Sequence, residues 1–123
     1  MTAFLFDLFG TLLDGAPSAE HAARQVMAHG HPCGIIATCP AATTSQVRAS
    51  VPLIDELDVA VFSSDIGIGL PDPRALRVAV DALGTRAERT IFFSTDQVNL
   101  AAASDAGLNA IFYTGPEDIL ANV

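Results

Sequence analysis

Five short apolar runs, spaced along the whole chain and separated by stretches of helical periodicity, constrain this sequence more than any other feature. Residues 3–7, 34–38, 58–63, 90–94 and 109–113 are almost continuously Phe, Ile, Leu, Val and Ala rather than alternating with polar residues. Continuous runs of that length predict strands buried on both faces, the mark of a parallel sheet covered by helices. Between the first two runs, "SAEHAARQVMAHG" predicts a crossover helix with Ser18 capping its start, Ala19, Ala22 and Val26 on one face, and Gly30 ending it. "PDPRALRVAVDALG" predicts a second, with Pro73 in its first turn, Leu76, Val78, Val80 and Leu83 as its apolar residues, and Gly84 as its stop. Further helices are expected around 43–50, 97–106 and 116–122, and "LIDELD" (53–58) reads as a solvated turn. The expected fold is therefore α/β: a Rossmann-like, doubly wound, parallel five-stranded sheet with helices on both faces, in one domain spanning 1–123.

Charge narrows the partners. Fourteen acids against six bases give a net charge of −8, and all six bases are arginines. With no basic block, nucleic acid and anionic membrane surfaces are disfavoured. Half of the residues are hydrophobic and mean hydropathy is +0.41, which leads us to expect exposed apolar surface and self-association. Two cysteines, no basic-flanked signal segment and no apolar run near the roughly 20 residues that span a bilayer suggest a reducing, cytoplasmic setting.

In open α/β sheets, ligands bind beyond the carboxyl ends of the strands. Functional attention falls on Asp7, Thr38, the Ser63–Leu70 loop and Ser94–Asp96. "HGHPC" places His29, His31 and Cys33 at alternate positions, an incomplete metal set or an ordinary helix-to-strand loop. Cys39 is either a reactive thiol near the site or a small buried apolar side chain.

Four segments, in order and spacing, resemble the haloacid dehalogenase-like superfamily of hydrolases over nearly the whole chain. "FDLFGTLLD" resembles its first motif, DxDx[TV] with a Gly-Thr turn. "GIIATCP" resembles the second, a strand ending in Ser or Thr. "IGIGLPDPRAL" resembles the third, a lysine before Pro-Asp-Pro, and "IFFSTDQVNLAAASDAGLNAIF" resembles the fourth, a strand with an acidic loop and helix.

The resemblance implies a carboxylate nucleophile at Asp7 that forms a covalent intermediate, with Thr38 as a donor to the phosphoryl group. It implies substrate binding by Gly10, Thr11 and Thr38. It further implies magnesium held by Asp7, by the backbone carbonyl of Phe9 and by acids of the fourth motif. Several family positions are altered here. Phe9 stands where the general acid/base carboxylate is found and can neither give nor take a proton. Leu70 stands at the lysine position, and Ser94 and Asn99 stand where phosphatases carry magnesium-binding acids. Asp96, between them, reads either as a metal ligand or as the cap of the following helix. Arg74 reads either as a surrogate cation or as a solvated helix residue.

The dehalogenase branch also carries an aromatic in the first motif, and Ser94-Thr95-Asp96-Gln97-Val98-Asn99 lies closer to its Ser-Ser-Asn-x-x-Asp. That branch keeps the lysine and the last acid, which are Leu70 and Asn99 here. Only Gly15 to Pro17 separates the first motif from the first helix, so no cap domain fits, and a homodimer or a protein partner is expected over an open site. Two functions follow from the resemblance. One is a pseudoenzyme or protein-interaction module, weakly active or inactive. The alternative is an active capless hydrolase of phosphatase or dehalogenase type, working through Asp7.

Overall fold

A computed structural model describes residues 2–14 and 18–123. Gly15 to Pro17, the connection too short for a cap, lie outside the described residues. The strands are β1 (Ala3–Asp7), β2 (Cys33–Ala37), β3 (Val59–Phe62), β4 (Thr90–Ser94) and β5 (Asn109–Phe112). All pair in parallel, in the order β3-β2-β1-β4-β5. The helices are α1 (Glu20–Ala28), α2 (Ala41–Ser50), α3 (Leu53–Glu56), α4 (Ser63–Ile66), α5 (Pro73–Ala82), α6 (Gln97–Asp105) and α7 (Pro116–Leu120).

The order puts β1 in the middle, which explains why AFLFD is apolar without alternation: every one of its residues is buried. Phe4 and Phe6 point to one face, where they join Ile35, Phe62 and Phe93 beneath α1, α2, α3 and α7. Ala3 and Leu5 point to the other, where Ile36, Val61 and Phe92 pack against α5 and α6. The rings of Phe6 and Phe93 stack with centroids 5.4 Å apart. Two cores thus clamp β1 in place, and its last residue is held at the sheet's carboxyl end.

The structure amends several details of the local reading. Ala19, not Ser18, is the N-cap of α1, and the Ser18 hydroxyl instead accepts from the Glu20 amide at 3.1 Å and donates to the Leu12 carbonyl. "LIDELD" is not a solvated turn: Leu53 and Ile54 start α3 and are buried, and Asp58 Oδ2 accepts from the Cys33 amide at 2.9 Å. Val78 is 38% exposed and lies off the buried stripe formed by Ala75, Leu76, Ala79 and Val80. β2 stops at Ala37, so Thr38 is the first residue beyond the strand. Among the described residues no domain is inserted between these elements, and no helix is long and apolar enough to cross a membrane.

Candidate functional site

Asp7 ends the central strand and is only 7% exposed. The chain leaves β1 through a tight turn in which the Gly10 amide donates to the Leu13 carbonyl at 2.7 Å and the Leu13 amide to the Leu8 carbonyl at 3.0 Å. Thr11 is buried, and its hydroxyl donates to the backbone carbonyl of Asp7, so it holds the turn closed. Gly10 has φ +86°, and a Cβ there would run into the Thr95 hydroxyl. Only glycine lets this turn pass so close to the end of β4.

Two side chains converge on the Asp7 carboxylate from far along the sequence. Ser94, the last residue of β4, donates through its hydroxyl to Asp7 Oδ2 at 2.9 Å, and Asn99, in the first turn of α6, donates through Nδ2 to the same oxygen at 2.9 Å. The Ser94 hydroxyl also accepts from the Asp96 amide at 3.0 Å. Asp96 is the N-cap of α6, accepting from the Val98 and Asn99 amides at 2.9 and 3.4 Å. Burial pushes the Asp7 carboxyl above its ordinary range; the Asn99 and Ser94 hydrogen bonds hold it back, and the Asp96 charge adds a further upward push.

The opposite wall comes from the β2 and β3 ends. The Leu70 amide donates to Thr38 Oγ1 at 2.8 Å, tying the loop before α5 to the residue after β2. Gly69 makes that approach possible, since a Cβ there would lie 2.8 Å from Thr38 and 2.9 Å from Ser63. Together Asp7, Phe9, Gly10, Thr38, Leu70, Pro71, Thr95, Asp96, Val98 and Asn99 enclose a cavity of about 650 Å³. Of the remaining site residues, Thr95 and the supporting Gly69 lie in the Ser94–Asp96 and Ser63–Leu70 stretches marked by their place beyond the strand ends, and Pro71 opens the Pro-Asp-Pro of the third motif; Val98 has no sequence signal beyond its place beside Asn99.

Arg74 is not part of that wall. Its guanidinium bonds Asp72 through Nε at 3.1 Å and Nη2 at 2.7 Å, its side chain is 67% exposed, and Asp72 is simultaneously the N-cap of α5.

Two carboxylates that the resemblance assigns to magnesium, Asp7 and Asp96, line the cavity with Phe9, each with one oxygen already engaged. That ion requires near-octahedral oxygen ligation. Here Asp7 Oδ2 is occupied by two hydrogen-bond donors, Ser94 and Asn99 stand where further acids would be needed, and Asp96 turns Oδ1 to the helix amides. Among the described residues no group of three His, Cys, Asp or Glu side chains could hold a metal. His31 sits elsewhere, its Nδ1 3.2 Å from the Thr2 carbonyl and its ring edge-on to Phe4. Burial raises the Cys33 thiol to about 12. Cys39 is half-buried, its Sγ 3.4 Å from the Thr44 hydroxyl.

No family model matches the chain. Its sequence is 26% identical over 106 residues to validoxylamine A 7'-phosphate phosphatase of Streptomyces hygroscopicus subsp. limoneus, covering 86% of this chain and 48% of that protein. The chain thus spans about half the length of the curated relative it matches. Its fold superposes on an uncharacterized protein of Corynebacterium glutamicum with a TM-score of 0.81 at 17% identity, covering 99% of this chain and 91% of the other. On a dehalogenase it superposes with a TM-score of 0.70 at 20% identity, covering 86% of this chain and 54% of that enzyme. The chain has the haloacid dehalogenase-like fold. Within that fold Asp7 occupies the carboxyl end of the central strand, and this haloacid dehalogenase-like core carries no cap among its described residues.

Proposed function

We propose that this haloacid dehalogenase-like core has lost phosphoryl-transfer chemistry and serves as a binding module, weakly active or inactive as a hydrolase. One observation carries the reading: the cavity around Asp7 contains no cation and no second carboxylate at position 9. A phosphoryl group entering it would meet Asp7 and Asp96 with nothing to neutralise its equatorial oxygens. Phe9 cannot protonate a leaving group, and loss of general acid/base assistance alone typically costs about 100- to 10,000-fold in rate. The open site and the apolar composition support a homodimer or a protein partner covering it in the cytoplasm, with no nucleic acid and no membrane involved. Light scattering reads the oligomeric state.

A second reading has its own support. Asp7 and Thr38 share one cavity, Ser94 and Asn99 hold the carboxylate in a single orientation, and the curated relative is a phosphatase. On this alternative the chain is an active capless hydrolase forming a covalent intermediate on Asp7. The two part in one experiment. Purified protein and its Asp7→Asn variant are incubated with p-nitrophenyl phosphate, acetyl phosphate and 2-haloacids, with and without magnesium. We expect no difference between them in turnover and no adduct by intact mass. An Asp7-dependent adduct or product refutes the binding-module reading.

A further inference from the structure

We propose that the cavity beside Asp7 binds a small aliphatic ammonium ion. This rests on the binding-module reading above and names its ligand. The starting point is an incomplete ion pair. Asp7 is over nine-tenths buried, both of its side-chain hydrogen bonds land on Oδ2, and no described residue donates to Oδ1 on the cavity side. Among the described residues no buried side-chain oxygen lacks a partner, so Oδ1 is reached by solvent from the cavity, where a cation can take the place of water.

The chain supplies no such cation. It has no lysine, none of its six arginines lines the cavity, and four of them are ion-paired elsewhere. Asp96 adds a second carboxylate to the wall, with Oδ1 on the α6 amides and Oδ2 bonded by no described residue. The positive ends of α5 and α6 are each already answered by an aspartate cap, so neither offers its amides to an anion. A chain of net charge −8 strengthens the same preference.

The shape of the wall selects among cations. A divalent metal, ordinarily held by one or two carboxylates with water filling its shell, gains nothing from the apolar residues of this wall. An ammonium finds acceptors for two of its three hydrogens in Asp7 Oδ1 and Asp96 Oδ2, the carboxylate oxygens that no described residue bonds, and leaves the third to water. Leu70, Pro71 and Val98 then flank it with apolar surface for a short alkyl stem. About 650 Å³ is within the usual range for a small-molecule site.

The test is titration of the whole protein, followed by amide chemical shifts and calorimetry at fixed ionic strength, with n-butylammonium, butyrate, phenyl phosphate and magnesium chloride. We expect saturable butylammonium binding that moves the Asp7, Leu70 and Val98 amides, weakened at least tenfold by Asp7→Asn. Leu70→Lys, which puts an ammonium on the same wall from within, should abolish it while circular dichroism stays native. A free amine and a protein lysine share this chemistry. Tighter binding of N-acetyl-lysine methylamide than of butylammonium assigns the site to a partner's lysine, and the reverse order to a free amine. Equal or stronger binding of butyrate or phenyl phosphate, unchanged affinity in Asp7→Asn, or no butylammonium binding overturns the inference. Asp7-dependent hydrolysis of phenyl phosphate overturns the reading beneath it.

Discussion

Asp96 is the residue at which the capping and metal-ligand readings diverge in a measurable way. In the structure its Oδ1 accepts from the Val98 and Asn99 amides, which would otherwise be orphaned at the start of α6. Replacing such a cap with alanine costs roughly 1 kcal/mol, and losing a negative charge at a helix N-terminus adds roughly 0.3–1 kcal/mol. Asp96→Ala should therefore destabilise the fold by about 1.5 kcal/mol. With an unfolding entropy of roughly 2.1 cal/mol/K per residue over 123 residues, or about 0.26 kcal/mol/K, this lowers Tm by about 6 °C. Asp96→Asn keeps a side-chain oxygen for the same two amides, since asparagine caps about as well as aspartate, and should lose only the charge contribution, about 2 °C. Thermal unfolding by circular dichroism at neutral pH, with and without millimolar magnesium, reads all three proteins. If Asp96→Asn falls as far as Asp96→Ala, the capping account is wrong. If magnesium raises the Tm of the parent and not of Asp96→Asn, Asp96 is a metal ligand.

Asp7→Asn should be more stable than the parent at neutral pH, because the native carboxyl lies above its unfolded value of 3.8. With the native value raised, the folded state holds a proton that the unfolded state has released between 3.8 and the native value, so parental stability falls as pH rises through that window. The advantage of Asp7→Asn in urea unfolding should shrink on acidification toward and below pH 3.8; an advantage that grows on acidification contradicts the burial account. Gly69→Ala pushes a methyl against Thr38 and Ser63 and should cost about 1–3 kcal/mol in urea unfolding while weakening any ligand of the cavity; an unchanged midpoint and affinity would show that the wall is loose. Arg74→Ala should leave cavity affinity unaltered, because its guanidinium is engaged by Asp72; a clear loss would mean that it swings into the site.

The inner strands are legible in the sequence because burial on both faces turns them into uninterrupted apolar runs, and the central position of β1 makes AFLFD the plainest; the edge strand β5 reads as equally buried, yet Asn109, Ala110 and Phe112 are exposed. α3 and α4 escaped because four residues are too few to display a helical period. In "LIDELD" the acids dominate the letters, while Leu53 and Ile54 carry the packing. At the site, motif order singled out positions 7, 9, 38, 70, 94 and 99 but not what their side chains do there. That Ser94 and Asn99 both donate to Asp7 Oδ2 depends on β4 lying beside β1 and on α6 starting where β4 ends. Arg74 shows the opposite limit: four residues from Leu70 it lies within reach of the site on paper, yet an aspartate two residues away takes its charge.

The geometry that delivers Asp7 is independent of the chemistry that would use it. Its backbone position is fixed by β2 and β4 on either side and by an apolar core above and below; Asn99 takes no part in these, Ser94 only ends β4, and Phe9 and Leu70 pack at the margins of the two cores. The fold can therefore keep a carboxylate at a cavity whatever side chains stand at positions 9, 70 and 99, so likeness of fold says little about turnover. What the carboxylate does next is set by the charge it meets. With a cation on the wall it meets an anionic substrate as part of a neutralised site. With Leu70 there instead, this carboxylate and that of Asp96 are the only charged side chains among the described residues of the wall, and selection among ligands reverses sign. Leu70→Lys is thus expected to exclude ammonium ligands and to restore affinity for phenyl phosphate in the same variant. A Leu70→Lys protein that gains neither change would show that the sign of the cavity is fixed by something other than this wall.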